Sequence, residues 1–176
     1  MVRKQAEKTL RSKQRGFTFL DLVLVVAIVA ILGAYAAMKM RSAGENTIYY
    51  QAQKFARDLR HMQVLAATYG RSLQVTATPG ANGSYTVSCV TSTGTSPCNV
   101  SPIIDPVTGN GFTGSFQDDV SLSVTTGLNP AVFDPKGRPL SGSNIYNATT
   151  NYTLTYGSTS VVVSISPVTG FVNVSP

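Results

Sequence analysis

Few residues in this sequence could do chemistry. There is one histidine, His61, and there are two cysteines, Cys89 and Cys98. A hydrolase or transferase needs a nucleophile beside a base, a phosphate-binding loop, or metal ligands at a set spacing, and the sequence offers none of these. His61 lies in a different stretch from the cysteines, so the three do not read as one metal site. Asp105, Asn110, Asp118 and Asp119 are oxygen donors of the kind calcium takes, but loop carboxylates are ordinarily solvated. The reading is no enzyme, no metal and no cofactor. Asn82, Asn99, Asn147, Asn151 and Asn173 fit the glycosylation pattern, which a Ser/Thr-rich chain produces by chance, and they are assigned no role. Two features do ask for an explanation. Asp21 stands in residues 17–38, a run that is otherwise apolar apart from Thr18, where a carboxylate is expensive. Cys89 and Cys98 flank a Ser/Thr/Gly/Pro stretch, which reads as a disulfide closing a short loop in an oxidising compartment.

The elements that must position these residues fall into four zones. Residues 1–16 hold six basic side chains against the single acid Glu7, a net of +5 out of the chain's +6. The high pI therefore belongs to this leader and not to a nucleic-acid-binding face. Residues 22–38 carry no charge, and Lys39 and Arg41 close the run. As a helix, residues 22–38 would extend about 25 Å. With residues 17–20 added, the run can cross a hydrocarbon core of about 30 Å. The basic flank keeps the N-terminus cytoplasmic and exports the remainder. Residues 39–69 continue the helical pattern: Ile48, Ala52, Phe55, Leu59, Met62 and Ala66 recur at three- and four-residue spacing and form one apolar stripe. Lys54, Arg57 and Arg60 fall off it, and Gly70 is placed to end the helix. From about residue 71 to 176 the pattern changes to short alternating runs separated by turns. Candidate strands are 72–78, 84–90, 120–126, 131–133, 152–156, 161–165 and 171–174. Asp134-Pro135-Lys136-Gly137 and Pro167-Val168-Thr169-Gly170 are turn signals, and Gly157-Ser158 is a hairpin link. Residues 92–114 are loop-rich. Only 12% of the chain is charged, about half the usual share, which suits an exported β domain in a crowded assembly.

Arg15-Gly16-Phe17-Thr18-Phe19-Leu20-Asp21, followed at once by an unbroken apolar run, strongly resembles the class III leader of type IV prepilins and type II secretion pseudopilins. The resemblance implies that a membrane-embedded prepilin peptidase cuts between Gly16 and Phe17 and then methylates the amine of Phe17. Asp21 is then the fifth mature residue. The family usually has Glu there, thought to pair with the first residue's amine on a neighbouring subunit; Asp is one methylene shorter. An ordinary signal peptide would lose its apolar core, whereas here that helix would stay as an anchor. Two other readings of the same residues stand beside this one. Ala34-Tyr35-Ala36 fits an ordinary signal-peptidase site that would release a soluble protein beginning at Ala37, and the helix could also be an uncleaved anchor.

The body is similar to the GspH/FimT family of minor pseudopilins and minor pilins. The likeness rests on residues 55–76 at a helix-to-strand junction, on Val132-Phe133-Asp134-Pro135-Lys136-Gly137-Arg138, and on residues 161–172 with Thr169-Gly170. It implies an α+β pilin fold: a long N-terminal helix, membrane-spanning in its first half, packed on antiparallel β-sheets. The expected boundaries are a leader at 1–16, an assembly helix at 17–38, its amphipathic continuation at 39–70 and a β-rich periplasmic domain at 71–176. The expected role is a minor structural subunit of a type IV pilus or type II secretion pseudopilus. Its partners would be the prepilin peptidase, other pilins or pseudopilins, the inner-membrane assembly platform and membrane lipid, and it would lie first in the bacterial inner membrane and then in the filament. Some relatives in transformable bacteria bind DNA through a Gly-Arg-x-Arg motif in the last hairpin. Here the matching residues are Gly170-Phe171-Val172-Asn173, without either arginine. From Ser72 onward only Lys136 and Arg138 stand against four aspartates, so DNA is not an expected partner, and those two residues would be the site if it were.

Overall fold

The computed structural model of the chain describes residues 19–176. The proposed cleavage residues Gly16 and Phe17, and the leader before them, lie outside the described residues. One helix, α1, runs Phe19–Tyr69. The chain divides into two compact units between Arg41 and Ser42, and each is described by itself.

In the first unit the described residues are all helical. The segment Phe19–Ala36 is long and apolar enough to cross a membrane, and none of it is buried by the rest of the chain. Length and composition alone would also fit a signal sequence or a core helix. The complete exposure of the segment is not that of a soluble core helix.

In the second unit α1 ends where Gly70 adopts φ +60°. The Gly70 N–H donates to the Ala67 carbonyl and the Arg71 N–H to the Ala66 carbonyl. These are the two bonds of a Schellman stop, which uses up carbonyls the helix would otherwise leave open. The strands that follow are β1 (Leu73–Thr78), β2 (Gly80–Ala81), β3 (Ser84–Cys89), β4 (Thr113–Ser115), β5 (Ser121–Thr126), β6 (Ala131–Phe133), β7 (Pro139–Ser141), β8 (Asn144–Ile145), β9 (Thr150–Tyr156), β10 (Thr159–Ile165) and β11 (Val172–Ser175). They form two antiparallel sheets, ordered β4-β3-β1-β6-β7-β8 and β11-β10-β9-β5-β2. Their long members alternate as a half-buried strand must: Leu73, Val75 and Ala77 point inward from β1, and Val161, Val163 and Ile165 from β10.

The apolar stripe of α1 lies in the core. Ile48, Ala52, Phe55, Leu59, Met62 and Ala66 are all buried, together with Ala56 and Leu65 beside them. Phe55 binds the helix to both sheets. Its ring centroid lies 4.7 Å from that of Tyr85 on β3, 5.2 Å from Tyr152 on β9 and 5.7 Å from Phe116. Each large side chain so buried contributes about 1.5–3 kcal/mol relative to exposure, so this face fixes where the two sheets must lie. The structure is α+β, an apolar N-terminal helix with antiparallel sheets, as the sequence leads one to expect.

Candidate functional site

No cleft gathers catalytic side chains among the described residues. What the second unit builds instead is a set of polar anchors along the borders of the buried helical stripe. Gln51 Nε2 donates to the Gln117 carbonyl at 3.1 Å while its Oε1 accepts the Gln117 N–H at 2.9 Å. A nearly buried side-chain amide thus satisfies one backbone unit completely, where an unpaired group would cost about 1–3 kcal/mol. Two turns farther along, the Tyr85 hydroxyl donates to the Asp58 carboxylate. Burial, and after it the bond and the charge of Asp58, push the Tyr85 phenol far above its ordinary range, so Tyr85 serves as a fixed donor. Burial raises Tyr152 in the same direction.

Gln63 joins the two sheets at their hairpin turns. Its Nε2 donates to the Gly137 carbonyl at 3.1 Å and to the Gly170 carbonyl at 2.7 Å. Gly137 closes the β6–β7 turn and Gly170 the β10–β11 turn, and the two meet over the helix. Gly170 has φ +72°, and a Cβ there would run into the Gly137 carbonyl and the Gln63 amide. Only glycine lets the turns approach this closely. Arg60 Nη2 adds a 2.8 Å bond to the Val172 carbonyl at the start of β11.

The residues singled out in the sequence separate into several places. Cys89 and Cys98 form a disulfide with Cα atoms 5.5 Å apart. Asp21 is in the first turn of the described helix, on its apolar stretch. Lys136 is exposed at the tip of the β6–β7 turn. Arg138 is held differently: its Nε and Nη2 donate to Asp134 Oδ2 at 2.8 and 2.6 Å. Asp134 Oδ1 takes the backbone N–H groups of Lys136 and Arg138. Burial alone would raise the Asp134 carboxyl, but these donors and the Arg138 charge hold it below its ordinary value. Arg138 therefore braces its own turn, and its charge is spent on Asp134.

His61 meets Asp105, with Nε2 3.1 Å from Oδ1. The Val107 N–H and the Thr108 hydroxyl donate to the same carboxylate. Against the opposing effect of burial, these three partners keep Asp105 below the usual carboxylate value. Asp105 thus staples the 102–111 loop to the helix. Asp118 and Asp119 lie on another turn, before β5, so the oxygen donors suggested for calcium do not share one site.

Sequence reasoning missed Gln51, Asp58, Gln63 and Tyr85. Three of the four sit on helix positions flanking the stripe, where polar residues look like solvated surface.

The structure is similar to crystal structures of the type IV minor pilin FimU of Pseudomonas aeruginosa strain PAO1. One superposes with a TM-score of 0.53 at 12% identity, covering 79% of this chain and 92% of that one. Another crystal form gives 0.49 at 11% identity, covering 71% and 90%. No protein-family model matches the sequence, and no curated protein is significantly similar to it. At this identity the likeness is one of fold, and the fold is pilin-like.

Proposed function

We propose that this chain is a membrane-anchored structural subunit of a bacterial type IV pilus or type II secretion pseudopilus, of the minor, GspH/FimT-like kind. It is made as a precursor, cut between Gly16 and Phe17 by a prepilin peptidase and methylated on Phe17. It waits in the inner membrane with its β-rich domain in the periplasm and is lifted by the assembly platform into a filament with other pilins or pseudopilins. The observation that carries the reading is the wholly exposed apolar segment Phe19–Ala36, interrupted by one carboxylate, on a chain whose folded unit is pilin-like. An apolar helix of this length must be covered, first by lipid and then by other helices. A carboxylate such as Asp21 within an apolar membrane helix is costly. The amine freed at Phe17 on a neighbouring subunit would offset that cost, and the filament would thereby be favoured over the membrane.

The DNA-receptor alternative is not supported by the β6–β7 turn, because Arg138 is neutralised by Asp134. The test of the filament reading is fractionation of sheared surface filaments, or of overproduced pseudopili, from the producing cell. The chain belongs in that fraction. Asp21→Ala should be processed but left behind in the membrane, and Asp21→Glu should incorporate. Absence of the unaltered chain from every filament fraction would refute the function, and normal incorporation of Asp21→Ala would refute the pairing.

A further inference from the structure

A crevice of about 250 Å³ opens between α1 and the chain that runs from β4 towards β5. Tyr50 and Lys54, one helical turn apart on one face of α1, line it from the helix. The buried rings of Tyr85 and Phe116 form its floor, and Asp118 borders it from the segment before β5. Tyr50 is 64% exposed, so its ring is open to a ligand instead of being packed in the core. Lys54 and Asp118 share this space, yet the side-chain ion pairs among the described residues are His61–Asp105 and Arg138–Asp134. Opposite charges therefore border the crevice without bridging it.

The carboxylate of Asp118 is fixed by its neighbours. Gln51 grips both backbone groups of Gln117 on one side. On the other side Asn82 Oδ1 accepts the Asp119 N–H at 3.1 Å. Asp118 between them has φ 57°, a left-handed conformation that few side chains adopt. Asp58, Asp105 and Asp134 are each consumed by an internal bond. No side-chain bond engages the Asp118 carboxylate among the described residues. A second crevice, of about 390 Å³, adjoins the first through Lys54, Tyr85 and Ser115. It adds the hydroxyls of Ser84, Thr86 and Thr113 and brings no further charge.

We propose that the paired crevices bind an uncharged oligosaccharide, with one pyranose ring against Tyr50 and its neighbouring hydroxyls shared between Asp118 and Lys54. A sugar hydroxyl donates to a carboxylate and accepts from an ammonium at once, so adjacent hydroxyls satisfy both charges where one ion could satisfy only one. Hydrogen bonds to charged groups are the stronger kind. The C–H face of the ring covers the apolar body of Tyr50, whose hydroxyl stays wet. A concave, largely apolar space with a few fixed polar groups is the ordinary form of a small-ligand site. The hydroxyl-lined second crevice takes the next sugar unit. An exposed pair between Lys54 and Asp118 is weak, so a ligand displaces it at little cost. Every residue of the site belongs to the folded unit, and the site does not depend on the filament reading.

The test is ligand-observed NMR titration of the full-length chain in a sugar-free detergent with maltotriose, cellotriose and chitotriose, and with an alanine tripeptide as the competing class. The expected result is saturable binding of at least one trisaccharide that persists as salt is raised, because the ligand carries no charge to screen. Tyr50→Ala and Asp118→Asn should each weaken it about tenfold or more through the loss of one contact. Ser115→Leu, at the point where the crevices meet, should abolish it. Tyr49→Ala should leave it unchanged, since Tyr49 is also exposed but bonds Gln53 and does not line the crevice. All four residues are exposed, and melting temperatures close to that of the unaltered chain show that each variant folds. Binding of none of the trisaccharides, binding undiminished in Tyr50→Ala and Asp118→Asn, or binding of the tripeptide alone would overturn the proposal.

Discussion

Replacing Phe55 with alanine should damage the folded unit more than any other single change in the helical stripe. The ring is fully buried and touches Tyr85, Phe116 and Tyr152, so it holds β3, β9 and the segment before β5 on one helical position. Truncating a buried Phe to Ala costs about 3–5 kcal/mol through lost transfer energy and the cavity left behind. Each aromatic contact adds a fraction of its ~0.5–1.5 kcal/mol, which places this site at the upper end. A domain is stable by about 5–15 kcal/mol, so a third or more of the total is at stake. Unfolding entropy is about 2.1 cal/mol/K per residue, so a unit of roughly 135 residues loses about 3–4 °C of Tm per kcal/mol, or about 10–20 °C here. The assay is thermal melting of the full-length chain in mild detergent, followed by near-UV circular dichroism, where Tyr85 and Tyr152 report on the cluster itself. Phe55→Leu keeps most of the apolar volume and should show a smaller fall. A drop of less than about 3 °C for Phe55→Ala would mean that under 1 kcal/mol rests on the ring, and the account of how the helix holds both sheets would be wrong.

Three further outcomes follow from the same structure. Alkylation of the exported chain without reductant should find no free thiol, and Cys89→Ser with Cys98→Ser should cost about 2–3 kcal/mol for a loop of about ten residues. Because Asp105 has its carboxyl lowered in the folded chain from 3.8, the stability it supplies is complete above that value and is lost as pH falls through the folded value below it; acid titration of Asp105→Asn should show a shallower loss of stability in that window, and an unchanged acid limb would refute the staple. Duplex DNA should bind the full-length chain weakly in anisotropy titrations and be released as salt approaches physiological levels, because few phosphates can be neutralised; tight binding that survives salt would restore the DNA reading, with Lys136 the first residue to change.

What could be read from sequence was whatever depended on local periodicity. The stripe from Ile48 to Ala66 is buried at every position named, and the strand at 131–133 has the observed ends, because a core-facing pattern leaves a one-dimensional trace. The pairs Gly80–Ala81 and Asn144–Ile145, and the triplets Thr113–Ser115 and Pro139–Ser141, left none. They are held by backbone ladders between small or turn-forming residues, and two or three residues cannot show alternation. The turn at Asp134-Pro135-Lys136-Gly137 was legible as a turn, but the partner of Arg138 was not seen, since Asp134 reads equally well as a turn former. The anchors of Gln51 and Gln63 were invisible for another reason: their acceptors lie 66, 74 and 107 residues away, and long-range closure has no signature in a single sequence. The leader motif at Gly16-Phe17, the most specific local signal, lies outside the described residues and is tested only by chemistry on the protein.

That chemistry is the most direct test of the central claim, that this chain is a pilin-type subunit retained by its first helix. The measurement is intact-mass and N-terminal peptide mass spectrometry of the chain extracted from the membrane fraction of the producing cell. The account predicts a mature chain that begins with N-methylated Phe17 and shifts to the uncut precursor when Gly16 is replaced by valine. A mature chain that begins at Ala37, or one that still carries residues 1–16 in cells with an active prepilin peptidase, would contradict it.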